Sequence, residues 1–74
     1  MTVDKIDFYQ EVEVRLEAKD SRYRSLKGAV LGVSEEGGIV YGYAVLIHGE
    51  NNSVYFDKDD LMPTGVRFSR DDFY

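Results

Sequence analysis

The sequence predicts an all-β domain, a small five-stranded barrel with one helical turn before the last strand. Three observations favour this class. Short segments alternate between apolar and polar residues at a period of two, which is typical of half-buried strands. Turn-forming residues separate these segments at 35–38 and 49–52. The chain of 74 residues allows one domain, residues 1–74, with a thin core.

Residues 8–16 predict the first strand, because apolar and charged side chains alternate there and leave one face in water. Residues 19–27 show no such alternation. They predict a polar loop, long for so small a domain, with room for one helical turn. Gly28 then opens the second strand, which we expect over residues 29–33.

Residues 39–48 predict the longest strand. Both of its faces are largely apolar, so we expect it to be the central strand of the sheet. Strict alternation puts five side chains on one face: Ile39, Tyr41, Tyr43, Val45 and Ile47. The small Gly42 favours close packing or a bend.

Residues 54–56 predict a short fourth strand, and residues 57–61 a single helical turn. Asp57 or Asp59 is expected to cap that turn, since a carboxylate accepts backbone N–H bonds at a helix N-terminus. The segment Asp57–Asp60 does not fit a calcium loop. The glycine and glutamate that such a loop needs at its sixth and twelfth positions are replaced by Met62 and Phe68.

Residues 63–65, Pro-Thr-Gly, predict a turn, and residues 66–68 the last strand. Two aromatic residues, Phe73 and Tyr74, end the chain. We expect them to dock on a core, either that of their own barrel or that of a second copy. The oligomeric state therefore stays open.

Charge is unevenly distributed along the chain. Fourteen acidic against nine basic residues give a net charge of -5, which argues against non-specific nucleic-acid binding. Residues 15–27 carry five bases and two acids, whereas residues 28–57 carry four acids and no base. These charges either coat a solvated surface or form a bipolar one, whose acidic part meets a cationic partner.

The residues needed for catalysis are largely missing. Without cysteine, neither a disulfide nor a thiolate metal site can form. His48 is the single histidine and is expected at a strand rim. We therefore expect a binding protein rather than an enzyme, with no cofactor. Neither a signal peptide nor a membrane span is predicted, so we expect a cytoplasmic protein.

Four segments of the sequence, in two groups, resemble those of a known family. The first group is residues 26–36 and 41–50, and the second is residues 54–65 and 70–74. Their layout is a glycine before the second strand, a Tyr-Ala-Val strand, and an acidic-Leu-x-Pro turn before the last strand. Over about residues 8–74 this resembles bacterial SH3-like barrels and, more narrowly, is similar to the immunity protein 31 family of bacterial polymorphic toxin systems.

The resemblance implies a cytoplasmic protein that binds a cognate toxin domain and neutralises it. Many such toxins are nucleases with basic clefts, which an acidic inhibitor can occlude after electrostatically steered association. The chain has no tryptophan and no Ala-Leu-Tyr-Asp-Tyr segment, so the proline-rich-peptide groove of eukaryotic signalling SH3 domains is not supported. The alternative is an SH3-like accessory module that binds a protein, a peptide or nucleic acid in another assembly.

The hypothesis assigns toxin binding to acidic residues in turns, with exposed tyrosines as anchors. The acidic residues are Glu35, Glu36, Glu50, Asp57, Asp59 and Asp60, and the tyrosines are Tyr41, Tyr43 and Tyr55. Because interface anchors are enriched in Tyr and Arg, the long loop offers a competing surface of Arg22, Tyr23 and Arg24.

Overall fold

The computed structural model of this chain describes residues 6–72, which form a single antiparallel sheet of five strands. The strands are β1 (Gln10–Val14), β2 (Lys27–Glu36), β3 (Ile39–Ile47), β4 (Val54–Asp57) and β5 (Leu61–Arg67). Three 3-10 turns cover Ser21–Tyr23, Lys58–Asp60 and Arg70–Asp72. No helix within residues 6–72 is long and apolar enough to cross a membrane. The all-β class is confirmed, as is the helical turn before the last strand.

The order of the strands is β4-β3-β2-β1-β5, so β2 and not β3 is the central strand. Our expectation for β3 was wrong because β2 is longer than its alternation indicates. It pairs with β1 over residues 27–29 and with β3 over residues 28–36. β4 and β5 lie at opposite edges, and no ladder joins them within the described residues. Closure of the sheet into a barrel thus stays a prediction.

Two bulges interrupt the alternation in the long hairpin. Val30 lies opposite Val45 but Gly32 lies opposite Ala44, which leaves Leu31 as an extra residue on β2. A second shift leaves Tyr41 as the extra residue on β3. A bulge moves the following side chains to the other face. Each bulge therefore ends the pattern from which the sequence analysis assigned the faces.

The core is rich in β-branched residues. Val12, Val14, Val30 and Val45 are fully buried. Tyr43, Ile47, Phe56 and Leu61 complete the central cluster, with Ile6 and Ala18. Branched side chains pack well on a pleated surface, which accounts for their use in this small core.

The expected turn at residues 63–65 is instead part of β5. Val12 lies opposite Pro63 and Gln10 opposite Arg67, so three residues of β5 face a single residue of β1. Gly65 accommodates this bulge with a φ of 94°. Proline is tolerated here because β5 is an edge strand, where a missing N–H breaks no ladder. Phe73 and Tyr74, whose docking the sequence predicts, lie outside the described residues.

Candidate functional site

The end of the β2–β3 hairpin combines free acidic charge with exposed apolar surface. Glu35 and Glu36 precede a two-glycine turn whose φ values are 59° and 82°, as a type I′ turn requires. Both glutamates are exposed, and neither carboxylate is ion-paired with another of residues 6–72. Beside them, Ile39 is 57% and Tyr41 48% exposed. We call these four residues the hairpin surface.

Tyr41 and Tyr43 have opposite environments although two residues separate them. Tyr43 is 3% exposed and belongs to the core, so it cannot serve as an exposed anchor for a partner. The bulge at Tyr41 separates the two side chains, and Val40 packs against the core instead. Tyr41 therefore satisfies the condition of exposure on which its role as an anchor depends, and Tyr43 does not.

Tyr55 is an exposed anchor candidate on the edge strand β4. It lies opposite Ala44, and 53% of its surface is exposed. Its ring also covers Gly42, where a Cβ atom would collide with the Tyr55 ring and with the Phe56 carbonyl oxygen. This confirms the close packing predicted at Gly42. The Tyr55 ring thus packs against the sheet at Gly42, and about half of the residue is exposed to a partner.

The three acidic residues at 57–60 are each ion-paired within the chain. The Lys19 ammonium lies 2.5 Å from the Asp57 carboxylate and 3.6 Å from that of Asp60. The hydrogen bond to Asp57 is the main reason that the pKa of Lys19 is raised. Asp57 makes no side-chain capping bond to the 3-10 turn, contrary to prediction. Asp59 pairs at 3.2 Å with Lys58.

Glu50 is exposed, as expected of a binding residue, but it lies far along the sheet from Glu35 and Glu36. It occupies the turn after β3, where its backbone N–H donates to the Ile47 carbonyl. The hairpin surface lies at the opposite end of the same strand. Glu50 therefore does not extend the hairpin surface.

The competing surface in the long loop is engaged in contacts within the chain. Arg22 makes a bidentate pair with Asp20 at 3.1 and 2.9 Å, which lowers the pKa of Asp20. Tyr23 packs edge-on against the Phe56 ring, with ring centroids 5.6 Å apart. Arg24 donates through Nε to the Ala18 carbonyl at 2.8 Å. Tyr23 thus attaches the loop to the core, and the pairing of Arg22 with Asp20 leaves less free positive charge for nucleic acid.

A groove of about 790 Å³ opens beside the hairpin surface. Its lining comes from four separate parts of the chain. The apolar residues include Ile6, Ile39, Val40, Tyr43, Leu61 and Pro63, and the charged ones are Arg15, Glu35, Lys58 and Asp59. Sequence reasoning missed the groove because no single segment contains it. The one feature of the sequence that points to the groove is the apolar Ile39, which directly follows a polar turn.

A second feature that the sequence did not reveal is a polar cluster around Glu11. Thr64 Oγ1 donates to the Glu11 carboxylate at 2.7 Å, and His48 Nε2 lies 2.8 Å from the same carboxylate. Both bonds lower the pKa of Glu11, and the bond from Thr64 has the larger effect. The Thr64 hydroxyl bonds the carboxylate and not the imidazole, so this is not the nucleophile–base arrangement of hydrolases. The cluster joins β1 to the end of β3 and the bulge of β5.

Comparison of the chain with models of protein families, with curated proteins and with solved structures gave no significant match.

Proposed function

We propose that this protein is an immunity protein that binds a cognate toxin domain and blocks it by occlusion through the hairpin surface. The observation that carries the proposal is the juxtaposition of Glu35 and Glu36 with the exposed Ile39 and Tyr41. Charge that is unpaired within the described residues steers a cationic partner, and exposed apolar side chains supply the area to be buried.

The hairpin surface is a better candidate than the acidic turn at 57–60. A partner cation that binds Asp57 must displace Lys19. One ion pair then replaces another, and the net gain in binding free energy is small. Glu35 and Glu36 require no such exchange within residues 6–72. The toxin surface that fits is therefore basic with an apolar depression. A nuclease cleft has that character, since it must hold phosphate.

The resemblance to the immunity protein 31 family also supports this proposal. It is the source of the expectation that the partner is a toxin, and of the cytoplasmic location that we propose. The small core and the placement of the hydroxyl and imidazole groups around Glu11 support binding in preference to catalysis.

The test is co-expression with the toxin domain encoded by the adjacent open reading frame. We expect the protein to restore growth and to form a complex whose affinity falls with salt. The double variant E35Q/E36Q should weaken the complex at least tenfold, an effect of the size seen at interface hot spots. E50Q is the matched control, because Glu50 is an exposed glutamate at the other end of β3. Absence of both rescue and complex would refute the proposal.

A further inference from the structure

The groove beside the hairpin surface has walls of opposite free charge. Arg15 follows β1, where its backbone N–H donates to the Asp60 carbonyl at 2.8 Å. Glu35 stands at the end of β2. Neither side chain has a hydrogen bond or ion pair with another residue in the part of the chain that the structure describes. Lys58 and Asp59, which also line the groove, pair with each other.

Between these charges the floor of the groove is apolar. Val40, Tyr43 and Leu61 reach it from β3 and β5. All three contribute to the core or pack against it, so the floor is held by rigid strands. A volume of about 790 Å³ lies within the range of sites that enclose a ligand.

Few kinds of partner match one free positive charge, one free negative charge and an apolar floor. A nucleic acid would place its phosphates close to the carboxylate of Glu35, which is unpaired within residues 6–72 and repels them. A free amino acid is too small to fill a groove of about 790 Å³. A peptide in which a basic and an acidic residue flank apolar ones supplies all three groups on one backbone.

We therefore propose that the groove binds a linear segment of the toxin in which apolar residues separate an arginine or lysine from an aspartate or glutamate. The basic side chain pairs with Glu35 and the acidic one with Arg15, while the apolar residues cover Val40, Tyr43 and Leu61. This inference rests on the proposed function for the source of the segment. The recognition itself follows from the groove alone.

A titration of the ¹⁵N-labelled protein with synthetic peptides tests this recognition. The peptides carry one arginine and one glutamate, separated by one to four leucine or valine residues between Gly-Ser ends. We expect at least one of them to shift the amide signals of groove residues such as Val40 and Leu61. The same peptide with glutamine in place of both charged residues should bind at least about fivefold more weakly, as expected for losing surface charge pairs.

Single variants then test the two charged residues of the groove, Glu35 and Arg15, separately. E35Q should weaken binding of the arginine–glutamate peptide about fivefold, and R15Q should do the same. E50Q is the matched control, because Glu50 is an exposed glutamate that neither lines the groove nor belongs to the hairpin surface. Its affinity should stay within twofold of the parent protein. Amide spectra confirm that each variant is folded.

Three results would overturn the groove proposal. In one, no peptide of the panel shifts the groove amides. In another, E35Q and E50Q have the same effect on peptide affinity. In the third, the chemical shifts of the groove amides change with protein concentration in the absence of peptide, and light scattering shows a doubled mass. A second copy of the chain is then the occupant of the groove. If R15Q rescues growth like the parent protein while E35Q/E36Q does not, the proposed function stands without the groove. Peptide binding in the groove without any complex with the toxin would instead refute the proposed function.

Discussion

The Lys19 ammonium lies 2.5 Å from the Asp57 carboxylate, across 38 positions of sequence. This pair joins the basic loop to the acidic 3-10 turn and cancels charges that look separate in the sequence. The bipolar distribution of charge along the chain is therefore not a bipolar surface at this point. The acidic charge of the hairpin surface, by contrast, stays available to a partner.

Replacing Lys19 by glutamine should accelerate toxin binding. The substitution frees Asp57 and Asp60, makes the protein more acidic and strengthens steering of a basic partner. We expect a higher association rate at low salt that returns to the parent value at high salt, measured by stopped-flow fluorescence. Thermal unfolding should change little, since Lys19 is exposed. An unchanged association rate at low salt would show that long-range charge does not steer this complex.

Replacing Gly42 by alanine should destabilise the fold by about 2–3 kcal/mol, as overpacking does in well-packed regions. The new methyl group would collide with the Tyr55 ring, which can move, and with the Phe56 carbonyl oxygen, which is fixed in the β3–β4 ladder. Urea unfolding measures the change. Gly32→Ala is the control, because the added Cβ meets the Ala44 Cβ at a less severe 3.3 Å. Equal effects at both glycines would contradict the close packing at Tyr55.

Stability should fall in acid through Glu11. Its pKa in the folded protein is below the ordinary value of about 4.3, because the bonds from Thr64 and His48 favour the carboxylate. The stabilisation is thus fully present above about pH 4.3 and is lost as the pH falls through the folded-state pKa. Unfolding free energies of the parent, E11Q and T64V proteins from pH 7 to 3 measure this. Both variants should show a shallower loss, and an unchanged slope in E11Q would refute the role of Glu11.

Local patterns predicted the number and order of the strands along the chain, but neither the extent of β2 and β5 nor the faces of the strands. Alternation and the Gly37-Gly38 turn predicted the hairpin, and the placement of Glu35 and Glu36 at its end followed from the turn alone. The bulge at Tyr41 could not be predicted, because it depends on how β3 pairs with β2. Likewise, Pro63 lies in a strand because β5 is at the sheet edge, a property of strand order.

The candidate site was predictable only where one segment contains it. The hairpin surface is continuous in sequence, so its acidic and apolar residues were all visible beforehand. Lys19 and Asp57 meet only through the fold, and the same holds for Thr64 and Glu11. Contacts between residues so distant in sequence decide which charges are free. The spacing of residues along the chain cannot predict such contacts.

The two neighbouring tyrosines of β3 provide the sharpest test of binding against packing. Tyr43→Ala removes a buried ring and should destabilise the protein by about 3–5 kcal/mol, the usual effect of deleting a buried aromatic side chain. Tyr41→Ala removes a half-exposed ring at a bulge, so stability should stay within about 0.5–1 kcal/mol of the parent value. Toxin affinity should nevertheless fall about tenfold in Tyr41→Ala, because an aromatic anchor is lost. Urea unfolding and calorimetric titration measure the two effects. If Tyr41→Ala kept full affinity, Tyr55 on the edge strand would be the remaining aromatic anchor of the hypothesis.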